Sequence, residues 1–219
     1  MAHCRSGKQG NLDREMLDPA RHDLGTLALD PALLSTPFWV QTNWHVITGA
    51  PCCGKTTLIG QLAGKGFRTV PESARLYIEG QMAGGRTMHP ILEDGAALQR
   101  GIVGMQLGVE SGLRAKEVAL LDSAVPSSLA WFRAYGLDPN EILPECFHHR
   151  YASVFVLDPL PFQPDEERVE EVAAIAAYLD EWLARDYSAL GYRVVRVPAL
   201  PPEERLAFVL ERLSEQGLG

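Results

Sequence analysis

Lysine is scarce in this sequence: Lys8, Lys55, Lys65 and Lys116 are the only four in 219 residues. Arginine raises the basic total to 20, against 28 acidic residues, for a formal charge of -8. So acidic a chain offers no general nucleic-acid-binding surface, and any polyanion it binds must meet a local concentration of positive field. Cysteine is scarce too. Of Cys4, Cys52, Cys53 and Cys146, two are adjacent, which suits no ordinary disulfide framework, so a reducing cytoplasm is the expected compartment. No apolar run approaches the ~18–20 residues of a membrane span, and polar Met1–Gly10 lacks the apolar core of a secretion signal. Internal repeats and low-complexity tracts are also missing.

What is present is ordinary globular composition, 46% hydrophobic and 22% charged. The length fits one domain, or one domain with a terminal extension. Met1–Pro37 is rich in Asp, Arg, Gly and Pro, and its apolar pairs, such as Leu33-Leu34, follow no sustained period. It reads as an N-terminal extension, partly disordered, with one short helix. Residues 38–219 read as the domain.

From Phe38 onward, strands and helices alternate. The expected strands are Trp44–Thr48, Phe67–Val70, Val118–Leu121, Ser153–Leu157 and Tyr192–Val197. The expected helices are Lys55–Gly64, Ser73–Met82, Ala96–Lys116, Ser127–Tyr135, Glu141–His149, Glu166–Leu190 and Pro202–Leu213, with Gly84–Gly95 as a loop. Gly101, Gly104, Gly108 and Gly112 weaken the third helix by up to ~1 kcal/mol each relative to Ala. Five continuously apolar strands separated by helices predict an α/β fold whose parallel sheet is covered on both faces. Ligands of such sheets bind at the carboxyl ends of the strands.

The strongest motif is Gly49-Ala50-Pro51-Cys52-Cys53-Gly54-Lys55-Thr56-Thr57, a gapless G-x-x-x-x-G-K-[ST] between a strand and a helix. Gly49 and Gly54 let the backbone turn tightly and approach phosphate oxygens. Exposed amides and the helix N-terminus then present positive dipole to the anion. Lys55 reaches the β/γ-phosphates in such loops, and Thr56 offers its hydroxyl to Mg²⁺. Cys52 and Cys53 are either redox-sensitive thiols near a helix start or small fillers facing away from phosphate.

Asp122 follows Val118-Ala119-Leu120-Leu121, the form of a second acid that holds Mg²⁺ at a strand end. The alternative is an Asp capping the next helix. Glu72 stands just after the second strand, with Arg75 three residues on. There a carboxylate can take the proton of an attacking hydroxyl, and an Arg can bind phosphate or carboxylate. Alternatively, the two form a surface ion pair. Arg168, after Pro161-Phe162-Gln163-Pro164-Asp165-Glu166-Glu167, reads either as a lid residue stabilising phosphoryl charge or as a solvated helix-start charge. Cys146, His148 and His149 match no zinc spacing, and the two histidines read as helix-end residues. Trp131, Phe132 and Tyr135 read as a packed helix face, or as the lining of a substrate pocket.

The run from Trp44 to about Leu213 resembles the kinase-like "AAA domain" P-loop ATPases, which look related to ribosylnicotinamide kinase and to thymidylate and deoxynucleoside kinases. The resemblance rests on Gly49–Thr57, on Val70-Pro71-Glu72-Ser73-Ala74-Arg75, on Asp122, on Asp165–Arg168 and on the closing strand and helix. It implies a three-layer P-loop NTPase fold with sheet order 2-3-1-4-5. It also implies bound ATP, rather than GTP, with Mg²⁺, substrate handling by Glu72 and Arg75, and Arg168 in a lid. Two positions depart from the pattern: Ser123 stands where related kinases often carry Arg, and Cys52 where the loop usually has Gly. The expected function is a nucleoside- or metabolite-type kinase. An NTP-hydrolysing switch and a nucleotide-binding module with little turnover are the alternatives. The expected partners are a nucleotide and a small-molecule acceptor, with neither nucleic acid nor membrane.

Overall fold

The computed structural model describes residues 22–160 and 169–215. Its main sheet has five strands: β2 (Trp44–Thr48), β3 (Thr69–Val70), β4 (Ala119–Asp122), β6 (Ser153–Leu157) and β7 (Val194–Val197). They lie in the order β3-β4-β2-β6-β7, and every neighbouring pair is parallel. Counted among themselves, these strands run 2-3-1-4-5. A second, two-stranded parallel pair, β1 (Val40–Gln41) with β5 (His149–Arg150), was not expected from the sequence.

The central strands β2, β4 and β6 are buried at every residue, because helices cover both faces. Alternation across the pleat assigns each side chain to a face. Val46, Leu121, Val154 and Val156 meet α6 (Ser127–Ala134) and α7 (Val169–Ala189) through Leu129, Phe132, Leu179 and Leu183. Ile47, Leu120, Phe155 and Leu157 point the other way, onto α2 (Lys55–Gly64) and α8 (Pro202–Ser214) through Leu58, Leu62, Leu206 and Val209. A third cluster, Ile78, Ile91, Leu92, Leu98 and Ile102, joins α3 (Ser73–Ala83), α4 (Met88–Glu93) and α5 (Gly95–Ser111).

Several elements differ from the sequence reading, each for a local reason. The second strand is confined to Thr69–Val70 because Phe67 closes the preceding helix, its N–H bonding Leu62 O at 3.2 Å. The expected loop 84–95 contains α4, whose Pro90 is tolerated in a first turn and whose Ile91 and Leu92 are buried. Helix α5 stops at Ser111 rather than Lys116, with Gly112 as its C-cap. Within α5, Gly101 is needed, because a Cβ there would lie 2.2 Å from the Tyr77 ring, whereas Gly104 and Gly108 face open space. Glu141–His149 is not an α-helix. Pro144 removes a backbone donor, and the segment forms two 3₁₀ turns, Pro139–Glu141 and Leu143–Phe147, before entering β5. The last strand begins at Val194 because Tyr192 N–H closes helix α7 on Tyr187 O at 3.0 Å.

Residues 22–37 include a short helix, α1 (Pro31–Leu34), capped by Asp30, whose side chain accepts from Ala32 N–H. Leu29, Leu33, Leu34 and Phe38 pack on the core. Asp23 N–H and Gly25 N–H bond the carbonyls of Ala134 and Arg133 at 2.9 Å each. Arg133, fully buried, completes the seam. Its Nε donates to Leu27 O at 2.6 Å, its Nη1 pairs with Asp186 at 2.6 Å, and its guanidinium lies 4.2 Å over the Trp182 ring. No helix among the described residues is long and apolar enough to cross a membrane.

Candidate active site

The loop from Gly49 to Gly54 leaves the carboxyl end of central strand β2 and enters α2. Gly54 is the N-cap of α2 with φ 90° and, having no side chain, offers the helix no side-chain cap. Gly49 has φ 151°. A Cβ there would sit 2.8 Å from Cys53 Sγ and 2.9 Å from Leu157 O, so the loop needs glycine for close approach. Lys55 folds back over this turn, with Nζ donating to Gly49 O at 2.9 Å and to Ala50 O at 3.1 Å. Cys52, at the position where glycine is usual, takes φ 61°. Cys53 is buried, and burial pushes its thiol up against the lowering effects of Lys55 and Arg205. Cys53 is therefore a protonated filler.

Sequence reasoning missed the residue that braces this loop. Arg205, on α8 and buried, donates to the carbonyl of Cys53 from Nη1, to Pro198 O from Nε at 2.7 Å and to Asp158 O from Nη2 at 2.9 Å. Its only visible signal was an Arg on the apolar side of an amphipathic helix.

Asp122 ends β4, buried, and pairs in register with Ile47 of β2, beside the start of the phosphate loop. The next residue, Ser123, takes φ 69°, and its N–H bonds Ile47 O at 3.0 Å. Its hydroxyl lies 3.4 Å from Thr48 Oγ1, which in turn is 3.1 Å from Ser127 Oγ.

These strand ends open into a cleft that communicates with solvent. Gly49, Pro51 and Lys55 line it, as do Glu72 and Ser73. Gln99, Gln106 and Trp131 are also among its lining residues. The structure thus brings Lys55 and Glu72 into one cleft. Ala50, Cys52, Cys53, Gly54, Thr56, Thr57, Arg75 and Asp122 are not among the residues lining it. Thr56 and Thr57 are exposed in the first turn of α2, and Arg75 is half-buried on α3. No ion pair joins Glu72 to Arg75 among the described residues. Arg168 lies outside the described residues.

The remaining candidates sit elsewhere. Cys146 is buried and donates to Ile142 O at 3.6 Å, while His148 pairs with Glu145 and His149 with Glu110. Phe132 is core, and Trp131 lines the cleft.

Residues 44–205 match the model of a family described as "AAA domain". The chain belongs to this family. No curated protein matches it in sequence. Among solved structures it is similar to NadR protein in complex with NR, with a TM-score of 0.58 and 20% identity over 80% of this chain and 50% of that one. It is similar also to NadR in complex with NAD and AMP-PNP, with a TM-score of 0.57 and 18% identity over 81% of this chain and 50% of that one. Thymidylate kinase from Candida albicans aligns with a TM-score of 0.51 and 13% identity, over 81% of this chain and 93% of that one. The chain therefore spans about half the length of the NadR chains. At these identities the likeness is one of fold: the AAA domain here is a kinase-like P-loop NTPase fold.

Proposed function

We propose that this AAA domain protein binds ATP with Mg²⁺ and transfers the γ-phosphoryl group to a small acceptor of nucleoside or related metabolite type. One observation carries the reading: Glu72 lines the same cleft as Gly49, Pro51 and Lys55. A carboxylate and a phosphate cradle facing one space are what phosphoryl transfer to a hydroxyl needs, since catalysis there is mainly positioning and charge stabilisation.

Gly49, Ala50, Pro51, Cys52, Cys53, Gly54, Lys55, Thr56 and Thr57 hold the triphosphate in this reading, through backbone amides and Lys55 Nζ. Close packing at Gly49 and Gly54, where a Cβ would crowd Leu157 O and Arg205 Nη1, fits a backbone shaped for phosphate. Thr56 and Asp122 are hard oxygen donors suited to Mg²⁺, which neutralises phosphate charge when bound. The acceptor hydroxyl forms the new O–P bond, the bond from γ-phosphorus to the bridging oxygen of ADP breaks, and Glu72 takes the hydroxyl proton. Lys55 leaves the carbonyls of Gly49 and Ala50 for phosphate oxygens. Arg75 binds an anionic group of the acceptor, and Arg168 acts from a lid. Three described cysteines, Cys52, Cys53 and Cys146, are free thiols, which accords with a cytoplasmic setting.

The test is calorimetric titration with Mg·ATP, followed by a screen for metabolite-stimulated ATP consumption. Lys55→Ala should weaken Mg·ATP binding at least tenfold; unchanged affinity would refute the cradle. Glu72→Gln should bind Mg·ATP normally and lose transfer by 10²-fold or more. ATP hydrolysis that no metabolite stimulates would favour a regulatory ATPase instead.

A further inference from the structure

A chain of hydrogen bonds begins in the cleft wall and ends in the interior. Its inner end is Glu110, 1% exposed. Four groups converge on that side chain: Gln106 Nε2 at 2.9 Å, Tyr151 OH at 2.9 Å, His149 Nδ1 at 3.1 Å and Val125 N–H at 3.3 Å. A carboxylate, which only accepts, suits all four. The Gln106 amide is thereby fixed in one orientation, nitrogen toward Glu110 and Oε1 toward Ser73. Ser73 Oγ lies 2.5 Å from that Oε1 and must donate to it. A serine hydroxyl has one hydrogen, so Ser73, which lines the cleft, has only lone pairs left for a ligand. The directions of an amide and a hydroxyl are usually open; here the groups converging on the Glu110 carboxylate oxygens settle both.

Two turns earlier on the same face of α5 lies Gln99, about 10 Å away along the helix axis. It is 1% exposed and lines the cleft, and its Nε2 has no hydrogen-bond partner among the described residues. Buried amides without partners are rare in folded proteins, so this one points to a group brought by a ligand. Ile102 lines the cleft between the two polar positions, and Trp131 adds aromatic surface to the same wall.

We propose that the cleft has a fixed hydrogen-bonding polarity at one end: Ser73 accepts from a hydroxyl of the acceptor, Gln99 pairs with a polar group of the acceptor at the far end, and Glu110 is the positioning residue that sets the direction of Ser73. The proposal rests on the kinase reading above and sharpens it. The acceptor is a nucleoside bearing a sugar hydroxyl besides the one phosphorylated, and that second hydroxyl is read by Ser73.

The experiment titrates the full chain, saturated with Mg·AMP-PNP, with uridine, cytidine, adenosine, guanosine and ribosylnicotinamide. Each is paired with its 2′-deoxy and 3′-deoxy forms. At least one ribonucleoside should bind, and removing one hydroxyl should weaken it roughly tenfold. Ser73→Ala should bring the ribo form to the level of that deoxy form and leave the deoxy form unaltered. Glu110→Gln, which frees the Gln106 amide to turn over, should bring the ribo-to-deoxy ratio to within twofold while Mg·AMP-PNP affinity holds. If Glu110→Gln fails to fold, Gln106→Met carries the same expectation, because it removes the group that orients Ser73. Equal wild-type affinity for the ribo and both deoxy forms would overturn the proposal, as would a ratio that survives Ser73→Ala. A ratio unchanged in Glu110→Gln or Gln106→Met would remove Glu110 as the positioning residue. Binding of Mg·AMP-PNP without any of the nucleosides would refute the polarity alone, whereas failure to bind Mg·AMP-PNP would refute the nucleotide reading beneath it.

Discussion

Replacing Gly49 by Ala adds one methyl group at the point where the phosphate loop crosses the end of β6. The methyl would fall 2.9 Å from Leu157 O, 3.3 Å from Leu157 Cβ and 2.8 Å from Cys53 Sγ. The thiol could turn aside, but Leu157 O belongs to a central strand whose backbone is held on both sides. Residue 49 also has φ 151°, which an L side chain rarely adopts. Overpacking costs about 1–3 kcal/mol and a forced backbone conformation about the same, so about 4 kcal/mol in total is expected. For a chain of this length that lowers Tm by roughly 8–16 °C. Gly60→Ala is the matched control. Gly60 is exposed on α2 with nothing within 4 Å of the added Cβ, so alanine should stabilise by about 0.5–1 kcal/mol. Urea unfolding and scanning calorimetry without nucleotide measure both. If Gly49→Ala unfolds within 1 °C of wild type, the close approach of loop and strand is not as described.

Three further outcomes follow from buried groups and backbone strain. His45, buried on β2 and 2.7 Å from Ser153 Oγ, has its imidazole pushed down to about 4 by burial. The unfolded chain thus takes up the proton first, and His45 costs stability as pH falls from about 6.5 to about 4, by up to about 3 kcal/mol. Asp186, pushed up to about 6 by burial, runs in the opposite sense. The wild-type minus His45→Gln difference in unfolding free energy isolates the histidine and should shrink on acidification; a flat difference would contradict its neutral burial. Arg133→Met strands Asp186 in the interior and cuts the tie to Leu27 O, so urea titration should show a loss of about 3–5 kcal/mol. Cys52→Gly relieves a left-handed residue at about 1–2 kcal/mol against about 0.5–1 kcal/mol of added chain entropy. It should raise Tm by a few degrees, and a lower Tm would mean that the thiol's own contacts outweigh the strain.

Strands β2, β4 and β6 and the phosphate loop were legible because each carries its signal within a few consecutive residues. The 3₁₀ turns from Pro139 were not, because Ile142, Leu143 and Cys146 keep helical spacing although Pro144 cannot donate. Helix α4 was hidden by its shortness and by Pro90, and only tertiary contact with Ile78 and Leu98 makes its apolar pair meaningful. Within the proposed site, Gly49, Lys55, Glu72 and Asp122 could be named from the sequence because their chemistry is tied to strand ends. Gln99, Gln106 and Glu110 were not, since a polar residue on α5 becomes significant only when the fold turns that face inward. Arg205 escaped for the same reason, its role depending on carbonyls nearly 50 and more than 150 residues away.

The scarcity of lysine gains meaning from where the arginines go. Arg133 pairs with Asp186, and Arg196 with Asp158 and Asp180. Arg150 and Arg205 donate to backbone carbonyls. These planar, multidentate cations serve as clamps between elements, a task for which a flexible ammonium is poorly suited. Their charge is thereby committed before any ligand arrives. Among the described residues lining the cleft, the one cation is Lys55, whose Nζ holds the carbonyls of Gly49 and Ala50. A cation that must leave one set of partners for another is better built as a point charge on a flexible stem. On this reasoning Lys55→Arg should fail to restore what Lys55→Ala removes, since the larger planar head would have to find room under Gly49 and Ala50. Full Mg·ATP affinity in Lys55→Arg, measured by the same titration, would refute it.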